Sequence, residues 1–462
     1  MNLFRTKSIE VLKQHAEKNA LRRSLGALDL TLLGVGVIVG AGIFVLTGHA
    51  AAEHAGPAIM LSFVLSSFIC ILVCLAYAEM AAAIPIAGSA YTYTYTATGE
   101  FPAWMVGWVL ILEYTVGASA VAGGWSAYLV GLLRSSGLNI PKSLTTVPWD
   151  GGIINLPATL LALFLTFLLV RGIKESAKTN RILVFIKLAA IFIFLFIAAP
   201  NIDVTNWQPF FPYGKAGIAA GAAVIFFSYL GVDSLATAAE ETRDPQKNMP
   251  IGIISSLIIC TILYVSVSAA MTGAVSYTEL NTDEPVALVL RKLGYHFGSA
   301  LVGVGAIAGL TTVCLVMIYA QTRAFFAMSR DGLIPHKLCK VHPKYGTPHI
   351  VTIIVGTGVA LMSGLLPIKL VAELCNVGTL FAFIVATSGL LVMRKRLPDL
   401  HRPFVCPAAH IVVPVAVISC LYIMYSLPNR TLILFACWVC LGILVYALYG
   451  YKHSRLRAGD DS

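Results

Sequence analysis

Long runs of apolar residues recur along this chain, separated by short polar loops. Twelve runs approach the roughly 20 residues that a helix needs to cross a hydrocarbon core about 30 Å thick. Backbone polar groups inside lipid must be bonded internally, and the runs lack the alternating pattern of barrel strands, so each predicts a membrane-spanning helix. The predicted spans are 27–50, 58–84, 104–132, 153–170, 182–200, 217–238, 251–274, 297–322, 350–366, 370–393, 410–427 and 431–450.

Basic residues in the loops indicate how the spans are oriented. If the N-terminus is cytoplasmic, 24 of the 32 lysines and arginines fall in cytoplasmic segments and seven fall in external ones. Short cytoplasmic loops of membrane proteins carry such an excess. We therefore predict a multi-pass protein of the cell membrane, surrounded by lipid, with residues 1–26 and 451–462 both in the cytoplasm.

Composition supports the membrane prediction and excludes other classes. The chain is 58% hydrophobic and only 12% charged, with a mean hydropathy of +0.83. The net charge of +10 does not indicate nucleic acid, because the basic residues are spread over loops beside apolar spans. Most of the ten cysteines lie in apolar runs without metal-ligand spacing, and no HExxH motif is present, so we expect no metal, no cofactor and no enzyme activity.

Two spans contain interruptions at corresponding places. The first carries four glycines in GVGVIVGAG (34–42), each of which weakens a helix by about 1 kcal/mol relative to alanine. Such glycines suit close helix packing, or an unwound segment around Gly40. The sixth span, FFSYLGVDS (226–234), places Ser228, Gly231 and Asp233 inside an apolar run. Paired interruptions in two inverted repeats indicate the binding site of a transporter.

Both interruptions offer groups that suit an amino acid. The half-helix that starts in span one presents free N–H groups and the positive end of its dipole, which suit a carboxylate. Unwound carbonyls of spans one and six suit an ammonium group. The hypothesis is therefore a transporter of amino acids, with the substrate bound at mid-membrane depth.

Five segments resemble the amino acid–polyamine–organocation transporters, most closely their cationic amino acid transporter branch. They are GVGVIVGAGIFVLTG (34–48), YAEMAAAIPIAGSAYTYTYTATGEFPAWMVGWVLILEY (77–114), FFSYLGVDSLATAAEETRDPQKNMPIGI (226–253), SRDGLIPHKLCKVHPKYGTP (329–348) and RLPDLHRPFVCP (396–407). The resemblance covers nearly the whole chain. It implies an all-α protein with the LeuT fold, in which 27–200 and 217–393 are inverted five-helix repeats and 410–450 supplies two peripheral helices.

The resemblance also implies roles for individual positions. Its carboxylate-binding turn falls on Gly40, Ala41, Gly42 and Ile43. Its amine-binding carbonyls fall on Ile38, Phe227 and Leu230, and Phe227 matches the aromatic gate that covers bound substrate. Met317, in span eight, falls near the distal pocket, where a bulky apolar side chain limits the room for substrate. Cationic and small neutral amino acids both remain open.

Ionisable residues inside spans are costly and are functional candidates by default. Lys187 in span five is either a structural lysine bonded to a carbonyl or a coupling group. In sodium-coupled relatives of this fold a sodium ion sits between spans one, five and eight, and a span-five ammonium can take its place. Because burial favours the neutral form of a lysine, we expect proton coupling without sodium.

Two acidic residues are further candidates. Glu113 in span three contacts substrate, carries the proton, or simply holds helices together. Asp233 either caps the half-helix that follows the span-six interruption or lies near the substrate amine. The expected function is secondary active transport of L-amino acids by alternating access. An exchanger, a transporter-like sensor that binds without translocation, and an accessory membrane subunit remain open.

Overall fold

The computed structural model describes residues 5–6, 25–84, 89–172, 177–231, 235 and 242–458. Within these residues the secondary structure is helical, apart from isolated bridges that join Leu25 to Thr242 and Thr145 to Asn155. The N-terminal segment 7–24 and the tail 459–462 lie outside the described residues, as does most of the stretch from 232 to 241 that contains Asp233.

The longer helices are numbered in chain order. They are α1 (Ala27–Ile38), α2 (42–55, formed by Gly42–Leu46, Thr47–Ala50 and Ala51–Ala55), α3 (Ile59–Ala83), α4 (Ser89–Ala97), α5 (Glu100–Ser135), α6 (Leu156–Val170), α7 (Ala177–Ala198), α8 (Ala216–Ile225), α9 (Pro245–Ala274), α10 (Pro285–Lys292), α11 (His296–Arg330), α12 (His349–Leu365), α13 (Ile368–Arg396), α14 (Ala409–Tyr425) and α15 (Asn429–Val445). A helix overlaps each of the twelve predicted spans.

Seven helical stretches of the described chain are long and apolar enough to cross a membrane. They are Gly42–Ala83, Glu100–Ser135, Arg181–Asn201, Pro245–Ala274, His296–Arg330, Ile368–Arg396 and Asn429–His453. Five shorter apolar helices accompany them, namely Ala27–Ile38, Leu156–Val170, Ala216–Tyr229, His349–Leu365 and Ala409–Tyr425. The all-helical, multi-pass prediction is thereby confirmed, while the number of crossings and the assignment to the LeuT fold stay predictions.

Burial distinguishes the centre of the molecule from its rim. In α5, 94% of the most apolar 18-residue window is buried, because α11 and α13 pack along this helix. The corresponding window of Asn429–His453 is only 22% buried, and large apolar side chains such as Tyr425 on α14 and Phe196 on α7 are exposed. Exposed apolar faces of this extent suit contact with lipid. Helix α9 packs against both α1 and α3.

An ion pair joins the buried Glu79 of α3 to Arg394 of α13, and Glu79 also binds the segment after α13. The fully buried carboxylate of Glu79 accepts hydrogen bonds from the Arg394 guanidinium, at 2.9 Å from Nε, and from the Cys406 backbone N–H at 2.7 Å. Burial, with the Glu79 charge as a smaller cause, raises the pKa of the Cys406 thiol to about 11. Two-point guanidinium–carboxylate pairs fix geometry as well as charge, so this contact holds α13 against α3, and the Cys406 bond holds the 397–408 segment there.

Candidate functional site

The interruption predicted in the first span is present. Helix α1 ends at Ile38, Val39 leaves the helical conformation with ψ of 97°, and α2 begins at Gly42. The Gly40 carbonyl then accepts a hydrogen bond from the Phe44 N–H at 3.3 Å, which closes the first turn of α2. The break therefore falls within the glycine-rich segment, as the sequence indicates.

The sixth predicted span is interrupted as well. Helix α8 ends at Ile225, a 3₁₀ turn covers Phe226–Tyr229, and Leu230 is extended with ψ of 140°. Gly231 follows with φ of +102°, a region that glycine enters without strain and other residues avoid. Because Asp233 lies outside the described residues, its role stays a prediction.

The two interruptions lie directly against each other. A β-carbon added at Gly42 would overlap the Cα and the side chain of Ser228, so only glycine permits this approach. The predicted residues of both breaks are buried at the contact, namely Ile38, Ala41, Ile43, Phe227 and Leu230. Gly40 faces α11, where an added β-carbon would lie 3.3 Å from a methyl group of Val313. The structure therefore brings the predicted carboxylate turn and amine carbonyls together.

A tyrosine that the sequence did not indicate bridges the interruptions. The hydroxyl of Tyr264, on α9, lies 2.7 Å from the carbonyl oxygen of Ile38 and 2.9 Å from that of Ser228. One hydroxyl proton can be donated to only one of these oxygens at a time. The Ile38 carbonyl, predicted to bind the substrate amine, thus has a donor from the protein while retaining a second lone pair.

The ammonium group of Lys187 lies at the C-terminal end of α1. Its ammonium, fully buried on α7, donates hydrogen bonds to the Gly36 carbonyl and to the Val39 carbonyl, the latter at 3.1 Å. Carbonyls in the last turn of a helix lack helical partners and form the negative end of its dipole, which favours a cation. A β-carbon added at Gly309 of α11 would lie 3.3 Å from that of Lys187, so the lysine lies between predicted spans one, five and eight.

Comparison with known proteins identifies the family. The model of a family described as amino acid permease matches residues 25–448. The chain belongs to the amino acid permease family. The predicted resemblance to amino acid–polyamine–organocation transporters is confirmed, and members of this family are transporters, not enzymes.

Three relatives illustrate the range of named substrates around this permease. The branched-chain amino acid permease BcaP of Bacillus subtilis (strain 168) is 44% identical over 461 residues, which cover 98% of this chain and 99% of the relative. The methylthioribose transporter of the same strain is 44% identical over 98% of this chain and 99% of the relative. Cationic amino acid transporter 4, vacuolar, of Arabidopsis thaliana is 37% identical over 86% of this chain and 68% of the relative. Identity to such different transporters does not select a substrate side chain.

Met317 and Glu113 of the permease contact different helix pairs. Met317 is buried one turn after Val313 on α11, and its sulfur would lie 3.4 Å from a β-carbon added at Gly117 of α5. Glu113 is buried where α5 packs against α13, and its backbone carbonyl accepts a hydrogen bond from the Cys375 thiol at 3.2 Å. Met317 therefore lies on the α11 face that also meets Gly40, and its place in a distal pocket stays a prediction.

The buried polar atoms that have no hydrogen-bond partner among the described residues include Ser228 Oγ, Gln321 Oε1 and Asn376 Oδ1. The Asn376 amide nitrogen donates to the Ala223 carbonyl at 2.7 Å and to the Val224 carbonyl at 3.0 Å, so it caps the end of α8. A buried unpaired polar atom costs about 1–3 kcal/mol, and each such atom calls for a ligand or water contact. Ser228, at the contact of the two breaks, is the most direct addition to the site.

Proposed function

We propose that this permease is a secondary active transporter that moves L-amino acids across the cell membrane by alternating access. The contact of the two interrupted helices at Gly42 and Ser228 is the observation that carries the proposal. Interrupted helices in corresponding repeats supply backbone groups at membrane depth, where a zwitterion needs partners. The proposal includes twelve crossings in the LeuT fold, with repeats 27–200 and 217–393, peripheral helices in 410–450 and both termini in the cytoplasm.

The backbone of the substrate binds at the interruptions in this proposal. The substrate carboxylate accepts hydrogen bonds from N–H groups of Gly40, Ala41, Gly42 and Ile43 at the positive end of α2. The ammonium donates to carbonyls of Ile38, Phe227 and Leu230. Phe227, buried in the 3₁₀ turn after α8, is the gate that closes over the substrate. Asp233 completes this end of the site as a cap or as an amine contact.

The surroundings of the interruptions favour a neutral, apolar substrate side chain. Val313 and Met317 of α11 present apolar groups toward Gly40 and Gly117. A cationic side chain buried against such a surface needs a carboxylate to offset its desolvation. Glu113 is the candidate carboxylate for that role. Cationic amino acids are therefore the alternative substrates to be tested. Two relatives named for branched-chain substrates match 98% of this chain.

The two carbonyl contacts of Lys187 support a role for this residue in proton coupling. A protonated Lys187 donates to Gly36 and Val39, and holds α1 next to α7. A neutral lysine has lost its charge and one donor, so it binds the negative end of α1 more weakly. Protonation thereby favours one arrangement of the interrupted helix over another. A fixed ammonium also opposes sodium binding at the same carbonyls. Glu113 is the second candidate carrier.

Uptake into proteoliposomes tests the proposal. Purified permease is supplied with labelled leucine, alanine or arginine, with and without an inward proton gradient, and sodium is withheld throughout. We expect sodium-independent uptake that the gradient stimulates and that leucine competes for better than arginine. Uptake only into vesicles preloaded with amino acid indicates an exchanger. Binding without uptake in either condition contradicts the transport proposal and indicates a sensor.

A further inference from the structure

A cluster of polar side chains joins three separate elements at the end of α2 that lies away from the interruption. The five residues, here called the latch, are His49, Glu53, Asn281, Asp283 and Lys369. His49 and Glu53 belong to α2, Asn281 and Asp283 to the segment between α9 and α10, and Lys369 to the first turn of α13. None of these residues takes part in the candidate substrate site.

The latch is closed by hydrogen bonds that connect all five residues. His49 Nδ1 lies 2.7 Å from Asn281 Oδ1, and His49 Nε2 lies 2.6 Å from Asp283 Oδ1. Asn281 Nδ2 donates to Glu53 at 2.9 Å. Lys369 donates to the same Glu53 oxygen and lies 3.5 Å from Asn281 Oδ1. Two potential cations and two carboxylates therefore meet around one amide.

The partners of His49 in these bonds fit one form of its ring. The Asn281 side chain can donate to the Glu53 carboxylate only through its NH₂ group, so its oxygen must face His49 and Lys369. Asp283, as a carboxylate, offers only acceptor atoms. Both ring nitrogens of His49 therefore face acceptors, and only the imidazolium form has two N–H donors. The closed latch requires a proton on His49.

His49 is the most buried of the charged or ionisable residues in the latch, and it lines a small cavity. The His49 side chain is 8% exposed, whereas those of Asp283, Glu53 and Lys369 are 44%, 36% and 41% exposed. His54 and Glu373 also face this region, since they line one small cavity together with His49, Glu53 and Lys369. Val224, at the end of α8, also lines this cavity. Three residues of the latch therefore share a cavity with the helix that leads into the second interruption.

We infer that His49 is a proton-binding site at the external mouth of the permease, and that its protonated form closes the latch over the path to the interruptions. Loss of the proton leaves a ring lone pair against Asn281 Oδ1 or against the Asp283 carboxylate, so one bond becomes a repulsion. Helix α2, which begins at Gly42, is then held to the 281–283 segment only by the bond between Asn281 and Glu53, and moves away from it more easily. The inference rests on the proposed function only in taking this side as external.

Thiol labelling of intact cells tests the latch without measuring transport. Val224→Cys is introduced into a chain in which Cys339, Cys437 and Cys440, the cysteines that are not buried, are replaced by serine. A membrane-impermeant maleimide is applied at external pH values from about 5 to about 8, across the usual histidine range. Leu138→Cys, at an exposed loop position, is labelled in parallel and corrects for the pH dependence of thiol chemistry and for expression.

We expect Val224→Cys labelling, relative to Leu138→Cys, to increase several-fold as the external pH rises. His49→Gln removes this dependence. Asp283→Asn retains low labelling at every pH, because an asparagine amide can donate to the free ring nitrogen of neutral His49. His54→Gln, which changes a histidine of the same cavity that makes no side-chain hydrogen bond with the described residues, keeps the wild-type dependence. A wild-type ratio that does not change with pH, or a dependence that persists in His49→Gln, overturns the inference.

The labelling experiment tests the latch and the uptake experiment tests the proposed coupling, so one proposal can be contradicted without the other. A pH-dependent latch in a protein without proton-stimulated uptake contradicts the proposed coupling and leaves the latch supported. Proton-stimulated uptake with pH-independent labelling contradicts the latch alone. If Val224→Cys is never labelled from outside while Leu138→Cys is, the cavity does not open to the external side and the latch inference is wrong.

Discussion

The Tyr264 hydroxyl lies 2.7 Å from the Ile38 carbonyl oxygen, so a side chain from α9 contacts the first interruption at the atom predicted to bind the substrate amine. The same hydroxyl is 2.9 Å from the Ser228 carbonyl of the second interruption. A group that can donate to either break, but not to both at once, can follow a change in their relative position. Tyr264 therefore links the two interrupted helices.

Replacing Tyr264 by phenylalanine removes this link without changing the size of the ring. The two carbonyls then lack their donor, which costs about 1–3 kcal/mol for a buried polar group. We expect Tyr264→Phe to reduce amino acid uptake about tenfold or more in proteoliposomes, at equal amounts of folded protein. The reduction appears in both uptake and substrate binding, because the site geometry itself is changed.

Tyr229→Phe is the matched control for that substitution. Its hydroxyl is also buried and donates to one carbonyl, that of Phe63 on α3, at 2.9 Å. We expect a similar loss of thermal stability but uptake close to that of the unchanged permease. Equal losses of uptake in the two variants would mean that Tyr264 contributes only to stability.

Gly42 is required by the approach of the two breaks. A β-carbon there meets the backbone Cα of Ser228, which cannot rotate away, so Gly42→Ala forces the interruptions apart. Overpacking of this kind costs about 1–3 kcal/mol or more, and we expect uptake to be lost. At Gly40 the nearest atom is a Val313 methyl group at 3.3 Å, which can shift. Gly40→Ala should therefore retain more uptake than Gly42→Ala, and the opposite order contradicts this account.

The sequence predicted the parts of the site that depend on local signals. Glycine clusters weaken a helix wherever they occur, and a lysine inside an apolar run is conspicuous, so both breaks and Lys187 were identified from the chain alone. Tyr264 and Asn376 were missed because single tyrosines and asparagines are common in spans, and their partners depend on how helices pack. The bond from Arg394 to Glu79 joins residues 315 positions apart, and no spacing in the chain indicates it.

Substitution of Lys187 separates its charge from its hydrogen bonds. Lys187→Gln keeps a donor for the Gly36 or Val39 carbonyl but cannot bind a proton. We expect uptake of leucine that no longer responds to an inward proton gradient, with substrate binding largely retained. The check is the ratio of uptake with and without the gradient, in the variant and in the unchanged protein. A Lys187→Gln permease with a full gradient response shows that another group, such as Glu113, carries the proton.

The ion pair between the buried Glu79 and the 30% exposed Arg394 contributes to stability. Glu79→Gln leaves this guanidinium, and that of Arg402 at 3.5 Å, without a charged partner, and losing a hydrogen bond to a charged group costs about 1.5–3 kcal/mol. We expect a much shorter half-life of the folded protein in detergent at raised temperature. Glu279→Gln is the comparison, since the Lys292–Glu279 pair is 39% and 48% exposed and such pairs contribute about 1 kcal/mol or less. Similar half-lives for the two variants contradict a stabilising role for Glu79.

Ser228 offers a test of direct substrate contact, because its buried hydroxyl has no partner among the described residues. Ser228→Ala removes an unsatisfied polar group, so the folded protein should be as stable as before or slightly more stable. If the hydroxyl binds substrate, the same change raises the KM for amino acid uptake several-fold. Thr387 on α13 also carries a buried hydroxyl without a partner in the described chain, but it lies outside the candidate site. Thr387→Val should match Ser228→Ala in stability and leave the KM unchanged, whereas an unchanged KM in both variants removes Ser228 from the site.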